Sequence, residues 1–300
     1  MTGPTIGRLR VDGAALHYEV RGSGPLLLLI PGGAGDAASY DGIADDLATD
    51  YTVASYDPRG MSRSPLDDPQ ATQQVEQHAG DAFRLLELLS PDAPARVAGC
   101  SSGAIVTLHL LATHPERIVR AVAHEPPVVE VLPDVTEHRA LLARVQGTFR
   151  RDGLMPAVAE FAAGLRRPGA EEPIAAEAAI ELPPQAAGRA ERTMANMPYF
   201  LGRIVPSFMA YAPDVDRLAA LSDRLVLAGG VDSRGELPYR PAAFLAERSG
   251  TELVHFPGGH TGFSTHPAEF AESLRKVLSA WKTGGTAADL TGTPDLLPFG

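Results

Sequence analysis

The run Arg96-Val97-Ala98-Gly99-Cys100-Ser101-Ser102-Gly103-Ala104 passes from an apolar strand into a helix, and its junction spells Gly-x-Ser-x-Gly at positions 99–103. Arg96 to Gly99 has strand composition, and Ala104 to Thr113 continues as a helix until Pro115 stops it. Ile118 to His124 then forms another strand, ended by Pro126-Pro127. A serine between two glycines at such a turn is forced into a cramped backbone conformation, with its hydroxyl standing clear of the sheet at a helix N-terminus. Ser101 is the expected nucleophile, and the backbone N–H of Ser102 is an expected oxyanion donor. Cys100 reads as a small buried filler of the same turn.

Working outward, the same alternation of strand and helix continues on both sides. Upstream, Arg8 to Arg10 and Ala15 to Val20 flank the turn signal Asp12-Gly13, which predicts an antiparallel hairpin. Leu26 to Ile30 is apolar throughout, as expected for a strand buried on both faces, and it stops at Pro31-Gly32-Gly33. Of the donors in that loop, Gly33 is the choice for the second oxyanion N–H. Tyr51 to Tyr56 reads as a strand, and Val75 to Leu89 as a helix. From Val128 to Pro213 no strand pattern occurs, and Ala, Leu, Arg and Glu dominate between prolines 168, 173, 183, 184 and 198, which predicts a helical insertion. Leu225 to Ala228, Arg240 to Arg248, Glu252 to Phe256 and Pro267 to Trp281 resume strand, helix, strand and helix. The whole predicts an α/β chain: a mostly parallel twisted sheet flanked by helices, with residues 1–127 and 214–282 as core, 128–213 as cap and 283–300 as a loose tail.

An activating base is expected after the last strand, where Phe256-Pro257-Gly258-Gly259-His260 stands. His260 takes that role, while His17, His78, His109, His114 and His138 read as solvated or packed side chains and His266 as a helix-start residue. No cluster has metal-ligand spacing, and the single cysteine excludes an intramolecular disulfide.

At this point the strings YDPRGMSRS (56–64), VAGCSSGA (97–104), HPERI (114–118), AHEPP (123–127) and PGGHTGFSTHP (257–267) resemble the α/β-hydrolase superfamily, and within it the zearalenone lactonases. The resemblance covers nearly the whole chain except the tail and parts of the cap. It implies the α/β-hydrolase fold and a Ser-His-acid triad, and its lactonase branch implies that the acid is Glu125, directly after the strand that follows the elbow helix. The superfamily's commoner position, after the first strand beyond the cap, is occupied here by Asp232. Glu125 is preferred because an apolar strand precedes it and two prolines fix its exit; the competing reading pairs such a carboxylate with an arginine, for Asp232 the nearby Arg234. Where the lactonases place a substrate-facing tryptophan after Asn-x-Pro, this chain has Asn196-Met197-Pro198-Tyr199-Phe200, so Phe200 becomes the candidate substrate contact. Phe208, Met209 and Tyr211 are candidates for the same apolar pocket. Asp57, Arg59 and Ser64 read as fixing a turn below the elbow.

The function expected from these residues is hydrolysis of an ester or lactone of a small, largely apolar substrate, with no cofactor. A serine at the elbow argues against epoxide hydrolases and haloalkane dehalogenases, which carry aspartate there. The alternatives are a cofactor-free perhydrolase or C–C bond hydrolase with the same triad, and a binding protein that turns its ligand over slowly or not at all. With 26 Lys plus Arg against 37 Asp plus Glu, the net charge is −11 and no basic run breaks it, so neither nucleic acid nor an anionic membrane is an expected partner. No apolar run approaches the roughly 20 residues of a bilayer crossing and the start lacks a signal-peptide pattern, which predicts a cytoplasmic protein. The sequence leaves the oligomeric state open, with a homodimer as one arrangement it allows.

Overall fold

A computed structural model describes residues 3–167 and 184–279. Trp281, the tail at 283–300 and the prolines at 168, 173 and 183 lie outside the described residues. The hairpin forms as expected from β1 (Thr5–Val11) and β2 (Ala14–Arg21), with Gly13 at φ +72° in its turn. β3 (Leu26–Ile30) leads through a short 3-10 turn to α1 (Asp41–Leu47) and β4 (Thr52–Tyr56). α2 (Val75–Leu89), β5 (Ala95–Cys100), α3 (Ser102–Thr113) and β6 (Ile118–His124) follow. Among the described residues, β6 is followed by α4 (Val135–Asp152), α5 (Leu154–Leu165), α6 (Pro184–Tyr199), a π-helical turn (Phe200–Ile204), α7 (Val205–Met209) and α8 (Val215–Ala220). β7 (Leu225–Gly230), α9 (Tyr239–Arg248), β8 (Val254–Phe256), α10 (Gly262–Thr265) and α11 (Pro267–Ser279) complete the chain.

The eight strands form one sheet in the order β1-β2-β4-β3-β5-β6-β7-β8, antiparallel from β1 to β4 and parallel from there on. β3 shows why the sheet is buried on both sides. Leu26, Leu28 and Ile30 join one apolar cluster with α2, α3 and α9, while Leu27 and Leu29 point the other way into a cluster with α1 and α11. Each such fully enclosed side chain contributes about 1.5–3 kcal/mol. The strand order also makes a crevice. The chain leaves β3 towards β4 and later returns past β3 to β5, so the loops after β3 and β5 part in opposite directions at their carboxyl ends. Among the described residues no helix is long and apolar enough to cross a membrane.

Two histidines enclosed in this framework give it a pH dependence. Burial, with a smaller contribution from Arg59, holds His78 on α2 down at about 3. At the end of β6, burial outweighs the attraction of Glu125, and His260 adds to the lowering, so that His124 titrates at about 4. In the unfolded chain both titrate near 6.5, so between that value and 3–4 the unfolded state binds more protons. Their contribution is complete above about pH 6.5 and is lost as pH falls, at up to ~1.4 kcal/mol per pH unit for each histidine. Urea midpoints are expected to fall between pH 7 and pH 5, and less steeply in a folded His78→Gln variant; equal slopes in parent and variant would remove His78 from the account.

Candidate active site

The elbow is where the backbone is most constrained. Ser101 lies at φ +57°, ψ −126°, a region that costs a non-glycine residue roughly 1–3 kcal/mol. Its flanking glycines are required by close approach: a Cβ on Gly99 would lie 2.3 Å from the Gly103 carbonyl oxygen, and one on Gly103 would lie 2.2 Å from that of Ile30. The turn is held by the Ser101 N–H donating to the His124 carbonyl (3.0 Å) and by the Ala104 N–H donating to the Ser101 carbonyl (2.9 Å). Cys100 is buried as expected, with its thiol against the His260 carbonyl at 3.3 Å; burial, reinforced by Glu125, pushes that thiol well above its ordinary range.

Glu125 follows β6 directly and is another of the few non-glycine residues with positive φ, at +51°. Its side chain is completely enclosed, and both carboxylate oxygens are spoken for. Oε2 accepts from His260 Nδ1 at 2.6 Å; Oε1 accepts from the Gly230 N–H at 2.8 Å and from the Ser233 hydroxyl. Burial is the largest influence on this carboxyl and works to raise it. The hydrogen bond and charge of His260, the charge of His124 and the Ser233 hydroxyl together outweigh burial and hold it below the usual carboxylate range. A carboxylate at Nδ1 fixes that nitrogen as the protonated one and leaves Nε2 as the ring's acceptor.

Asp232 behaves differently. It is exposed, its backbone N–H donates to the Gly258 carbonyl at 3.1 Å, and its side chain pairs with neither His260 nor Arg234. Its neighbour Ser233 is the residue that reaches the site, and no sequence signal marked it. Asp57, Arg59 and Ser64 are structural: Asp57 accepts from the Ala37 N–H (3.0 Å) and from Arg63, Ser64 Oγ donates to the Asp57 carbonyl (2.7 Å), and Arg59 is paired with the buried Asp81.

Ser101, Ser102, Gly33 and His260 open onto a cavity of about 240 Å³. Its other walls are mostly apolar residues of the helices between β6 and β7, including Phe161, Met197, Phe200, Phe208 and Met209. Phe200 sits in the π-helical turn after Pro198, edge-to-face with Phe161 at 6.0 Å. Tyr211, expected in this pocket, instead hydrogen-bonds His109 Nδ1 at 2.8 Å and is not among the lining residues. Thr193 adds a lone polar side chain, and no Asp, Glu, Lys or Arg lines the cavity among the described residues. The roof is tied to the loop after β3. The Asn196 amide donates to the Ala34 carbonyl (3.0 Å) and to Ser62 Oγ (2.9 Å), and Arg192 donates to the buried Asp36. No group of His, Cys, Asp or Glu among the described residues has an arrangement that would hold a metal ion.

Residues 25–164 match the model of the alpha/beta hydrolase fold family. The chain is 36% identical over 281 residues to an uncharacterized hydrolase, YraK, of Bacillus subtilis strain 168, spanning 92% of this chain and 97% of the relative. It is 30% identical over 277 residues to a zearalenone hydrolase of Cladophialophora bantiana, spanning 90% and 96% of the two chains. The crystal structure of the enol-lactonase from Burkholderia xenovorans LB400 shares the fold, with a TM-score of 0.66 at 19% identity over 91% of this chain and 99% of that one. A strained serine elbow at the sheet's crevice, on a mostly parallel eight-stranded sheet and with full-length relatives that are hydrolases, establishes the chain as a member of the α/β-hydrolase family of enzymes.

Proposed function

We propose that this hydrolase cleaves neutral, largely apolar esters or lactones through an acyl-enzyme on Ser101. The observation that carries the reading is that His260, held at Nδ1 by the buried Glu125, opens onto the same cavity as Ser101. Ser101 Oγ attacks the substrate carbonyl carbon while its proton passes to His260 Nε2, and the carbonyl π pair moves onto oxygen. Glu125 holds the ring's orientation and stabilises the imidazolium. The backbone N–H groups of Ser102 and Gly33 are the candidates for holding the oxyanion. Ser102 N–H opens α3, where no preceding helical turn supplies an acceptor. Collapse of the intermediate breaks the C–O bond, and the leaving alkoxide takes the proton back from His260; in a lactone it stays tethered to the acyl group. Water then repeats the sequence, losing a proton to His260 as it attacks, and Ser101 leaves with that proton restored.

The substrate class rests on the walls. A lining with no ionised carboxylate, ammonium or guanidinium leaves a charged substrate without a partner for its desolvated group, whereas an apolar acyl or alcohol moiety gains from burial. The described helices between β6 and β7 act as the cap that excludes water, with Phe200 as a substrate contact. A cavity of about 240 Å³ lies just below the ~300–1,000 Å³ usual for small-molecule sites, which favours a compact substrate. The relatives named for zearalenone and for an enol-lactone support the ester or lactone bond as the target. Phe200 at the position of the lactonase tryptophan removes an indole N–H, and zearalenone itself is not carried over.

Ser101→Ala is expected to lower kcat on a p-nitrophenyl ester by about 10⁴ to 10⁶-fold at unchanged melting temperature. The parent is expected to take up a fluorophosphonate that this variant does not. A folded Ser101→Ala protein with near-parental turnover would take Ser101 out of the mechanism. Glu125→Gln is expected to cost about four decades in kcat, as an amide keeps the shape but not the charge that orients the imidazole. Asp232→Asn should stay within a few-fold of the parent, both variants being compared at matched melting temperature; the reverse pattern would transfer the acid to Asp232.

A further inference from the structure

The amide of Gly33, needed for the oxyanion, is already engaged. Its N–H donates to the side-chain oxygen of Ser102 at 3.0 Å, and Gly33 sits at φ +61° on the cavity wall. If that bond persists during catalysis, the oxyanion meets the Ser102 N–H directly but not the Gly33 N–H. The Ser102 hydroxyl, however, accepts in this bond and donates to no partner among the described residues. The residue is largely buried and borders the cavity. A buried hydroxyl proton without a partner is an unspent donor, and the N–H that binds its oxygen polarises it and strengthens what it donates.

Resting on the serine-hydrolase reading above, we propose that the side chain of Ser102 is itself a catalytic donor of the oxyanion hole. The chain of hydrogen bonds runs from the Gly33 N–H to Ser102 Oγ and from the Ser102 hydroxyl to the oxyanion. The Ser102 N–H supplies the second direct contact, so one residue contributes both a backbone and a side-chain donor. The Gly33 amide acts through the hydroxyl, and its place is fixed by the loop whose Ala34 carbonyl is held by Asn196. No bond is made or broken by Ser102: the hydroxyl keeps its proton throughout, and the negative charge on the carbonyl oxygen is discharged when the leaving alkoxide departs. The competing place for that proton is a pocket of about 10 Å³ behind Ser102, bordered by His78 and Tyr56, which is close to the volume of one water. A hydroxyl turned there would be structural and silent in the chemical step.

The test compares Ser102→Ala and Ser102→Thr with the parent on a p-nitrophenyl ester, together with the affinity of an aliphatic trifluoromethyl ketone that forms a tetrahedral adduct on the nucleophile. The alanine variant is expected to lose about 10- to 10²-fold in kcat with KM within about two-fold, the loss being moderated by the Gly33 N–H it frees. Ketone affinity should fall by a similar factor, and threonine, which keeps a hydroxyl, should restore most of both. Melting temperatures and fluorophosphonate uptake check that the elbow is intact in each variant. An alanine variant that is labelled normally yet keeps kcat and ketone affinity within two-fold, or works faster than the parent, overturns the donor and leaves the triad standing. If threonine is too large to fold, the matched loss of kcat and ketone affinity in the alanine variant still decides, since a purely structural serine would lower the melting temperature without that match. A parent that neither turns over the ester nor takes up the fluorophosphonate overturns the triad and this proposal together.

Discussion

A carboxylate sealed from solvent is the constraint on which the arrangement of the site depends. An ionised Glu125 without partners would cost more than this fold could supply, so its position is tolerable only where donors converge on both oxygens. Here the donors come from three places in the chain: the Gly230 amide at the end of β7, the Ser233 hydroxyl just beyond it, and the His260 ring after β8. One buried charge therefore ties together the carboxyl ends of three adjacent parallel strands. The left-handed backbone of Glu125 carries strain, which the hydrogen bonds of its carboxylate offset. Losing either the ring or the hydroxyl leaves a buried charge short of a partner, which is why the imidazole is held in one place and one tautomer.

A second constraint lies across the crevice. The oxyanion loop after β3 is soft by composition, with three glycines among residues 32–35, and it is stiffened from above by the inserted helices. Asn196 grips the Ala34 carbonyl and Arg192 grips Asp36, so the roof of the apolar cavity and the backbone expected to face the oxyanion are one mechanical unit. In the proposed mechanism this contact couples substrate fit to oxyanion geometry, because it ties the roof to the loop that carries Gly33. The π-helical turn that follows Pro198 places Phe200 in the same roof, an irregularity of the kind that recurs where helices line functional sites.

Much of this was legible in the sequence because local chemistry and global fold agree there. The unbroken apolar run of β3 suits a strand enclosed on both faces, and the stops at Leu89 and His124 coincide with Pro91 and Pro126. The Gly-x-Ser-x-Gly at 99–103 carries its own geometric reason, since a Cβ at either glycine would overlap a backbone carbonyl oxygen. The acid was legible as a pair, with Glu125 preferred over Asp232. Glu125 and Asp232 both follow parallel strands that lie side by side, and the choice turns on side-chain direction, which strand patterns do not encode; the structure turns Glu125 inwards and Asp232 outwards. α1 went unseen because seven residues, DGIADDL, are too few to show a period. Ser233 was hidden for a different reason: its role exists only through a contact 108 residues away. Tyr211 was misassigned to the pocket because an aromatic in a helical insertion carries no mark of the face it takes, and its hydroxyl is drawn to His109.

The central claim is that the carboxylate on His260 Nδ1 belongs to Glu125, and low-temperature proton NMR reads that hydrogen bond without turnover. A ring N–H donating to a buried carboxylate over 2.6 Å should give a resonance far downfield of the amide protons. That signal is expected in the parent and in Asp232→Asn, and is expected to be lost in a folded Glu125→Gln protein. A signal that survives Glu125→Gln, or vanishes in Asp232→Asn, would contradict the claim.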